Sequence, residues 1–193
     1  IEEETKEFVQ RCVDKMGEEF LANIGTANVA KDLDAIRQAV GDEKLTYLGY
    51  SYGTRIGSTY AENYPDKVRA MILDGAVDPN ADPVEANVRQ AAAFQTAFND
   101  FAADCARTQP DCPPGEDPAK PNDVFHSLVD PLVDKPAKTR DPRGLSYSDA
   151  IVGTILPLYS PNPWRHLTQA LSELKDGTGD TMLALADLYM GRD

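Results

Sequence analysis

The sequence predicts an α/β fold for its first part and an all-helical arrangement for its second. Three observations carry this. Helix-type and strand-type periodicities alternate up to about residue 75. No convincing strand pattern follows residue 74. A proline- and aspartate-rich link, VDPNADP at 77–83, separates the two compositions. The expected organisation is therefore a sheet-and-helix core over 1–80 and a helical lid or cap over 81–193.

The first elements follow in order. Residues 2–16 place Phe8, Val9, Cys12, Val13 and Met16 at helical spacing, with Gly17 as a stop, and the helix is expected to include Ile1. From Asn28 to Val40, Val29, Leu33, Ile36 and Val40 recur at i, i+4, i+7 and i+11, one face of an amphipathic helix. Thr26 or Asn28 is the expected cap at its start and Gly41 the stop at its end. Leu45–Tyr50 is a run of β-formers, 53–64 reads as helix up to Pro65, and Val68–Leu73 reads as a second strand ending at Asp74-Gly75. Helix, strand, helix, strand is the order of a parallel α/β sheet.

The second half is read from aromatic and proline positions. Residues 84–106 carry Phe94, Phe98 and Phe101 at helical spacing, read as helix core. Residues 108–122 are proline-rich and are expected to be loop. His126 lies in DVFHSLV, read as a helix face. SYSD, beginning at Ser146 with its Asp149, resembles a capping box that opens a helix through Leu156. PNPW starts a helix from Trp164 to Leu174, GTGDT breaks it, and a last helix runs from Met182 to Tyr189.

The net charge is −13 over 193 residues, with 41% apolar residues. That balance argues against nucleic acid, whose phosphates need a basic footprint, and against anionic membrane surfaces. It describes a solvated acidic surface, or a field that attracts cationic groups such as a peptide amino terminus. No apolar run approaches the ~18 residues needed to span a bilayer. Of the three cysteines, Cys105 and Cys112 bracket the loop CARTQPDC and are the expected disulfide, which implies an oxidising compartment. Cys12 is left over and is expected to pair outside this chain. No histidine lies near the cysteines in sequence, so no metal site and no cofactor are expected.

Gly49-Tyr50-Ser51-Tyr52-Gly53 fits G-x-S-x-G on a predicted strand-to-helix turn. Such a turn strains the backbone at the serine, so its neighbours two positions away must be small, and Gly49 and Gly53 are. The Ser51 hydroxyl is then exposed near the positive end of the following helix. It is the expected nucleophile, and the N–H of Tyr52 is the expected oxyanion donor. A serine needs a general base. His126 and His166 follow no strand and are read as packing or capping residues, and Asp74 is read as a support for the loop after its strand, with an acid role as the lesser alternative.

GTANVAKDLDAIRQAVGDEKLTYLGYSYGTRIGSTYAENYPDKVRAMILDGAVDP resembles the nucleophile region of α/β-hydrolases of the proline-iminopeptidase and tripeptidyl-aminopeptidase group. Within it the closest resemblance is to actinobacterial, including mycobacterial, secreted or cell-envelope lipoprotein serine proteases and carboxylesterases. The close part covers about residues 24–80, and the later helices are similar to that group's lid insertion. The resemblance implies a partial α/β-hydrolase core of two parallel strands with flanking helices, a helical lid, Ser51 as nucleophile and Tyr52 as oxyanion donor. It places the triad Asp and His after the lid and the second oxyanion donor upstream, outside these residues. The chain is therefore expected to be a piece of a longer serine hydrolase, inactive alone, extracytoplasmic, and acting through an acyl-enzyme on a peptide or ester. A peptidase releasing short N-terminal pieces is the first expectation. A carboxylesterase or lipase with the same serine, or a non-catalytic fragment, are the alternatives.

Overall fold

The computed structural model describes residues 2–115 and 120–192. The chain divides into two compact units, 1–82 and 83–193. Ile1 and residues 116–119, which fall on the expected first helix and the expected proline-rich loop, lie outside the described residues.

In the first unit, α1 (Glu2–Met16) stops at Gly17, whose φ of 81° ends the helix. A short α2 (Glu18–Ala22), absent from the sequence reading, follows it. Next come α3 (Thr26–Ala39), β1 (Leu45–Tyr50), α4 (Tyr52–Asn63) and β2 (Val68–Asp74). The two strands pair in parallel, with Leu48 opposite Ile72 and Tyr50 opposite Asp74, and α4 makes the crossover that parallel pairing requires.

Helix α3 departs from its sequence pattern in two ways. Neither Thr26 nor Asn28 caps it: Gly25 holds the cap position, and the Thr26 hydroxyl bonds the Tyr52 hydroxyl instead. Nor does the apolar stripe form the buried face. Ala30, Asp34 and Arg37 are buried, while Ile36 and Val40 remain 58% and 69% exposed. The side that meets α4 is organised by a polar network. The Tyr60 hydroxyl, from the fully buried Tyr60 of α4, donates to Asp34 Oδ1 at 3.0 Å. Arg37 Nε donates to the same oxygen at 2.8 Å, and Gln38 Nε2 donates to Oδ2 at 2.7 Å. Arg37 also donates to the carbonyls of Asp42 and Glu43, tying α3 to the turn that feeds β1. Buried polar groups must be satisfied together, so this set fixes which side of α3 meets α4; the aliphatic stripe lies on another side, half-buried or exposed in this chain. On the sheet, Leu48 and Ile72 are likewise 53% and 64% exposed.

The second unit contains α5 (Pro83–Thr108), α6 (Pro121–Val129), α7 (Tyr147–Ile155), α8 (Trp164–Lys175) and α9 (Asp180–Met190). Its core draws Phe98 and Phe101 from α5, Val129 from α6, Leu167 and Leu171 from α8, and Met182 from α9. Each large apolar side chain buried there is worth ~1.5–3 kcal/mol. Ser146 caps α7 as expected: its Oγ accepts from the Asp149 N–H at 3.1 Å and donates to Asp149 Oδ2 at 2.7 Å. After residue 74 the described residues hold only isolated bridges, Ala137 with Leu145 and Lys138 with Thr178.

Cys105, near the end of α5, is bonded to Cys112, with Cα atoms 5.5 Å apart and both side chains buried. Cys12 is a free thiol. Closing a loop of sequence separation 7 removes unfolded-chain entropy worth roughly 2–3 kcal/mol. Reduction, or the pair Cys105→Ala and Cys112→Ala, should lower the unfolding free energy by about that amount, read by urea melts with and without reductant. An unchanged midpoint would show that the loop is held by packing alone.

Acid should destabilise both units. Asp141 is held down to about 2 by Arg143, whose guanidinium and backbone N–H both donate to it. In the first unit the hydrogen bond from Arg37 holds Asp34 below the ordinary carboxylate range, against the desolvation that opposes it. A carboxylate that binds its proton more weakly when folded supports the fold above its unfolded pKa. That support is lost as pH falls from about 4 towards 2. Melting temperature should drop across this window, and Arg143→Gln should shrink the part of the drop that comes from Asp141.

Candidate active site

Strand β1 ends at Tyr50 and α4 begins at Tyr52, so Ser51 alone makes the turn. It has φ 51° and ψ −120°, and it is the only described residue other than glycine with a positive φ. Such a backbone costs of order 1–3 kcal/mol and persists only when its surroundings hold it. Here they do so through three contacts. The Ser51 N–H donates to the Asp74 carbonyl at 3.0 Å, which extends the β1–β2 pairing into the turn. The Ser51 carbonyl accepts from the Thr54 N–H at 2.9 Å and from Thr54 Oγ1 at 2.6 Å. Thr54 Oγ1 in turn accepts from the Val77 N–H at 2.9 Å, pinning the turn to the segment after β2.

The hydroxyl of Ser51 takes no part in this. The residue holds the N-cap position of α4 but its side chain makes no capping bond, and among the described residues its Oγ has no hydrogen-bond partner. The side chain is exposed. The N–H of Tyr52 is one of the first-turn donors that no helix satisfies internally. An exposed hydroxyl beside an unpaired backbone N–H at a helix N-terminus is an arrangement that suits attack on a carbonyl and stabilisation of the resulting oxyanion.

The two glycines of the pentapeptide are not equivalent. A Cβ on Gly49 would lie 2.6 Å from the Gly53 carbonyl oxygen and 2.7 Å from Tyr47 Cε1. A Cβ on Gly53 would meet only the Tyr47 hydroxyl, at 3.4 Å. Gly49 is demanded by close approach, and Gly53 is not. The side chain responsible is Tyr47, which lies against the turn and donates from its hydroxyl to the Gly53 carbonyl at 2.8 Å. Burial pushes the Tyr47 phenol up, so it stays a donor.

Three supporting residues escaped the sequence reading: Tyr47, Thr54 and Gly57. Gly57 packs α4 onto the sheet, and a Cβ there would come within 2.7 Å of Leu73 Cδ2 and 2.8 Å of Tyr47 Cε1. The spacing of Gly53 and Gly57, one helical turn apart, was the available signal. Thr54 bonds Ser51 locally, but its tie to Val77, twenty-three positions on, is one that only the fold brings together.

Other sequence candidates are placed as follows. Asp74 meets Ser51 through its backbone carbonyl, and its exposed side chain has no hydrogen bond to Ser51. His126 Nδ1 lies 3.1 Å from Asp130 Oδ1, one turn on along the same segment. His166 sits in the first turn of α8, with its N–H on the Pro163 carbonyl. Among the described residues, no acid or histidine bonds the Ser51 hydroxyl.

The sequence model of the family described as "alpha/beta hydrolase fold" matches residues 10–185. The chain is 72% identical over 200 residues to "Serine protease Hip1" of Mycobacterium tuberculosis, covering 100% of this chain and 38% of that protein. It is 57% identical over 195 residues to "Carboxylesterase B" of the same organism, covering 100% of this chain and 37% of that protein. It is 42% identical over 98 residues to "Tripeptidyl aminopeptidase" of Streptomyces lividans, covering 50% of this chain and 18% of that protein. The chain thus spans little more than a third of the length of the first of these relatives.

Proposed function

Since the chain belongs to the α/β-hydrolase fold family, we propose that it carries the nucleophile turn and lid of a serine hydrolase that cleaves peptide bonds. The observation that carries this is Ser51: a strained, exposed serine on the strand-to-helix turn, with its hydroxyl unengaged. The likeness to a serine protease at 72% identity supports peptides as the substrate class.

In this reading Ser51 Oγ attacks the carbonyl carbon as its proton passes to a general base. The Tyr52 N–H bonds the oxyanion, and collapse expels the amine to leave an acyl-enzyme that water hydrolyses. Neither His126 nor His166 is assigned the base and Asp74 is not assigned the acid. The reading places base, acid and second oxyanion donor in the part of the relatives that this chain does not span. Residues 81–193 act as the lid, and short peptides with a free amino end are the preferred substrates. The Cys105–Cys112 disulfide supports an extracytoplasmic, secreted or cell-envelope location, and Cys12 is free to pair with a cysteine elsewhere. No described helix is long and apolar enough to cross a membrane.

The second reading, a carboxylesterase with the same serine, is favoured by the 57% identity to a carboxylesterase. Turnover of tripeptide amides against short acyl esters by the full-length protein separates the two. Peptide cleavage with a comparable or higher kcat/KM is expected. Ester turnover with no peptide cleavage sinks the peptidase reading.

A further inference from the structure

The unit of residues 83–193 holds a cavity of ≈ 400 Å³ between α5, α6 and α7. That is within the ~300–1,000 Å³ of small-ligand sites. Its floor is apolar: Phe94 and Phe98 from α5, Phe125 from α6, and Ile155 at the end of α7. Phe98 is a buried core residue and its ring centroid lies 5.1 Å from that of Phe125. The floor is therefore part of the packed interior and not a chance meeting of surface side chains.

The rim differs. Asn87, Gln90 and Gln95 stand along α5, and Asn122 faces them from α6. Gln95 Nε2 donates to Asn122 Oδ1 at 2.8 Å and to Asn99 Oδ1 at 3.0 Å. This leaves Gln95 Oε1 as a free acceptor and Asn122 Nδ2 as a free donor among the described residues. The described lining contains no Asp, Glu, Lys or Arg, in a chain that is 26% charged with a net charge of −13. His126 stands at its edge, with Nδ1 3.1 Å from Asp130 Oδ1.

Each of these facts constrains the occupant. A charged side chain on this floor would leave water for aromatic and aliphatic neighbours, away from His126 at the edge, whose Nδ1 is already taken by Asp130, and that is strongly unfavourable. An alkyl chain would fill the floor but desolvate the rim amides without bonding them. A peptide matches both parts. Its side chain fills the floor, and its backbone presents one donor and one acceptor per residue to carboxamides that offer the same.

We propose that this cavity binds an uncharged peptide segment, with a bulky apolar side chain on the Phe94–Phe98–Phe125 floor and its backbone bonded to Gln95 and Asn122. It rests on the peptidase reading only for the nature of the physiological ligand. Binding itself is measured without turnover.

The test is an NMR titration of the full-length protein with acetyl-Ala-Leu-Ala-amide, acetyl-Ala-Asp-Ala-amide and 1-decanol. The leucine peptide should bind at least about tenfold more tightly than the aspartate peptide, with shifts centred on Gln95 and Phe125. Ala91 is exposed and lines the cavity, so Ala91→Trp should block it and weaken binding about tenfold or more while melting is unchanged. Ala92→Trp, one position round the same helix and outside the lining, should bind as the parent does. Ser51→Ala should also bind normally. Equal affinity for both peptides, parental binding by Ala91→Trp, or loss of binding in Ser51→Ala overturns the proposal. Shifts from 1-decanol alone overturn it in favour of an acyl-chain site. Retained leucine-peptide binding in a protein that turns over only esters sinks the peptidase reading and leaves this site standing.

Discussion

Ser51→Ala should abolish labelling of the full-length protein by a fluorophosphonate and lower kcat by roughly 10⁴- to 10⁶-fold, as loss of a serine nucleophile does elsewhere. The fold should survive. The Ser51 hydroxyl bonds nothing among the described residues, and alanine keeps the same Cβ at the same φ of 51°. Melting of Ser51→Ala should therefore stay within about 0.5 kcal/mol of the parent. Ser51→Gly separates backbone strain from reactivity. Glycine adopts positive φ without steric cost, so this variant should be more stable by about 1 kcal/mol while equally unlabelled. Stability gained on removing a side chain would identify Ser51 as a residue whose strain serves reactivity. Full labelling of Ser51→Ala, or a Ser51→Gly variant less stable than the parent, would remove the basis for assigning the nucleophile.

Gly49→Ala should be the most damaging single methyl in the first unit. The added carbon would sit 2.6 Å from a backbone oxygen of α4, and backbone cannot swing aside as a flexible side chain can. Either β1 and α4 separate or the turn at Ser51 relaxes. The expected cost is about 3 kcal/mol, at the upper end of overpacking effects, read by chemical denaturation. Gly53→Ala is the matched comparison. Its carbon has 3.4 Å to the nearest atom. It enters the first turn of a helix, where alanine is favoured over glycine by up to about 1 kcal/mol. Gly53→Ala should be neutral or stabilising. Equal destabilisation by the two would mean that the turn needs both glycines for the same reason, contrary to the geometry.

This contrast shows how far the pentapeptide is legible. Both glycines are visible in the sequence as a pattern around Ser51. Their different roles arise because the ring of Tyr47 and the Gly53 carbonyl press on position 49 and leave position 53 open. Helix α3 teaches the same lesson at larger scale. Its period was readable, and the helix is present. The side of it that meets α4 was not, because that side is set by one aspartate shared among Tyr60, Arg37 and Gln38 rather than by the aliphatic stripe. Caps divide along the same line. Ser146 and Asp149 are three residues apart and bond as the local rule says. Thr26 is drawn away from capping by Tyr52, twenty-six positions on.

By itself the sequence determined the α/β beginning and helical end, the position of the serine turn, and the spacing of Cys105 and Cys112. These depend on periodicity, glycine placement and short-range spacing, which are properties of neighbouring residues. The tertiary structure alone decided the strained φ of Ser51, the locks at Thr54 and Tyr47, the buried face of α3 and the amide-rimmed cavity of the second unit. The turn is locked locally by Tyr47 and Thr54 but tied down by Asp74 and Val77, more than twenty positions on, and the buried face of α3 and the cavity likewise join residues distant along the chain. Which contacts form is selected by which buried polar groups find partners and which backbones approach too closely for a side chain.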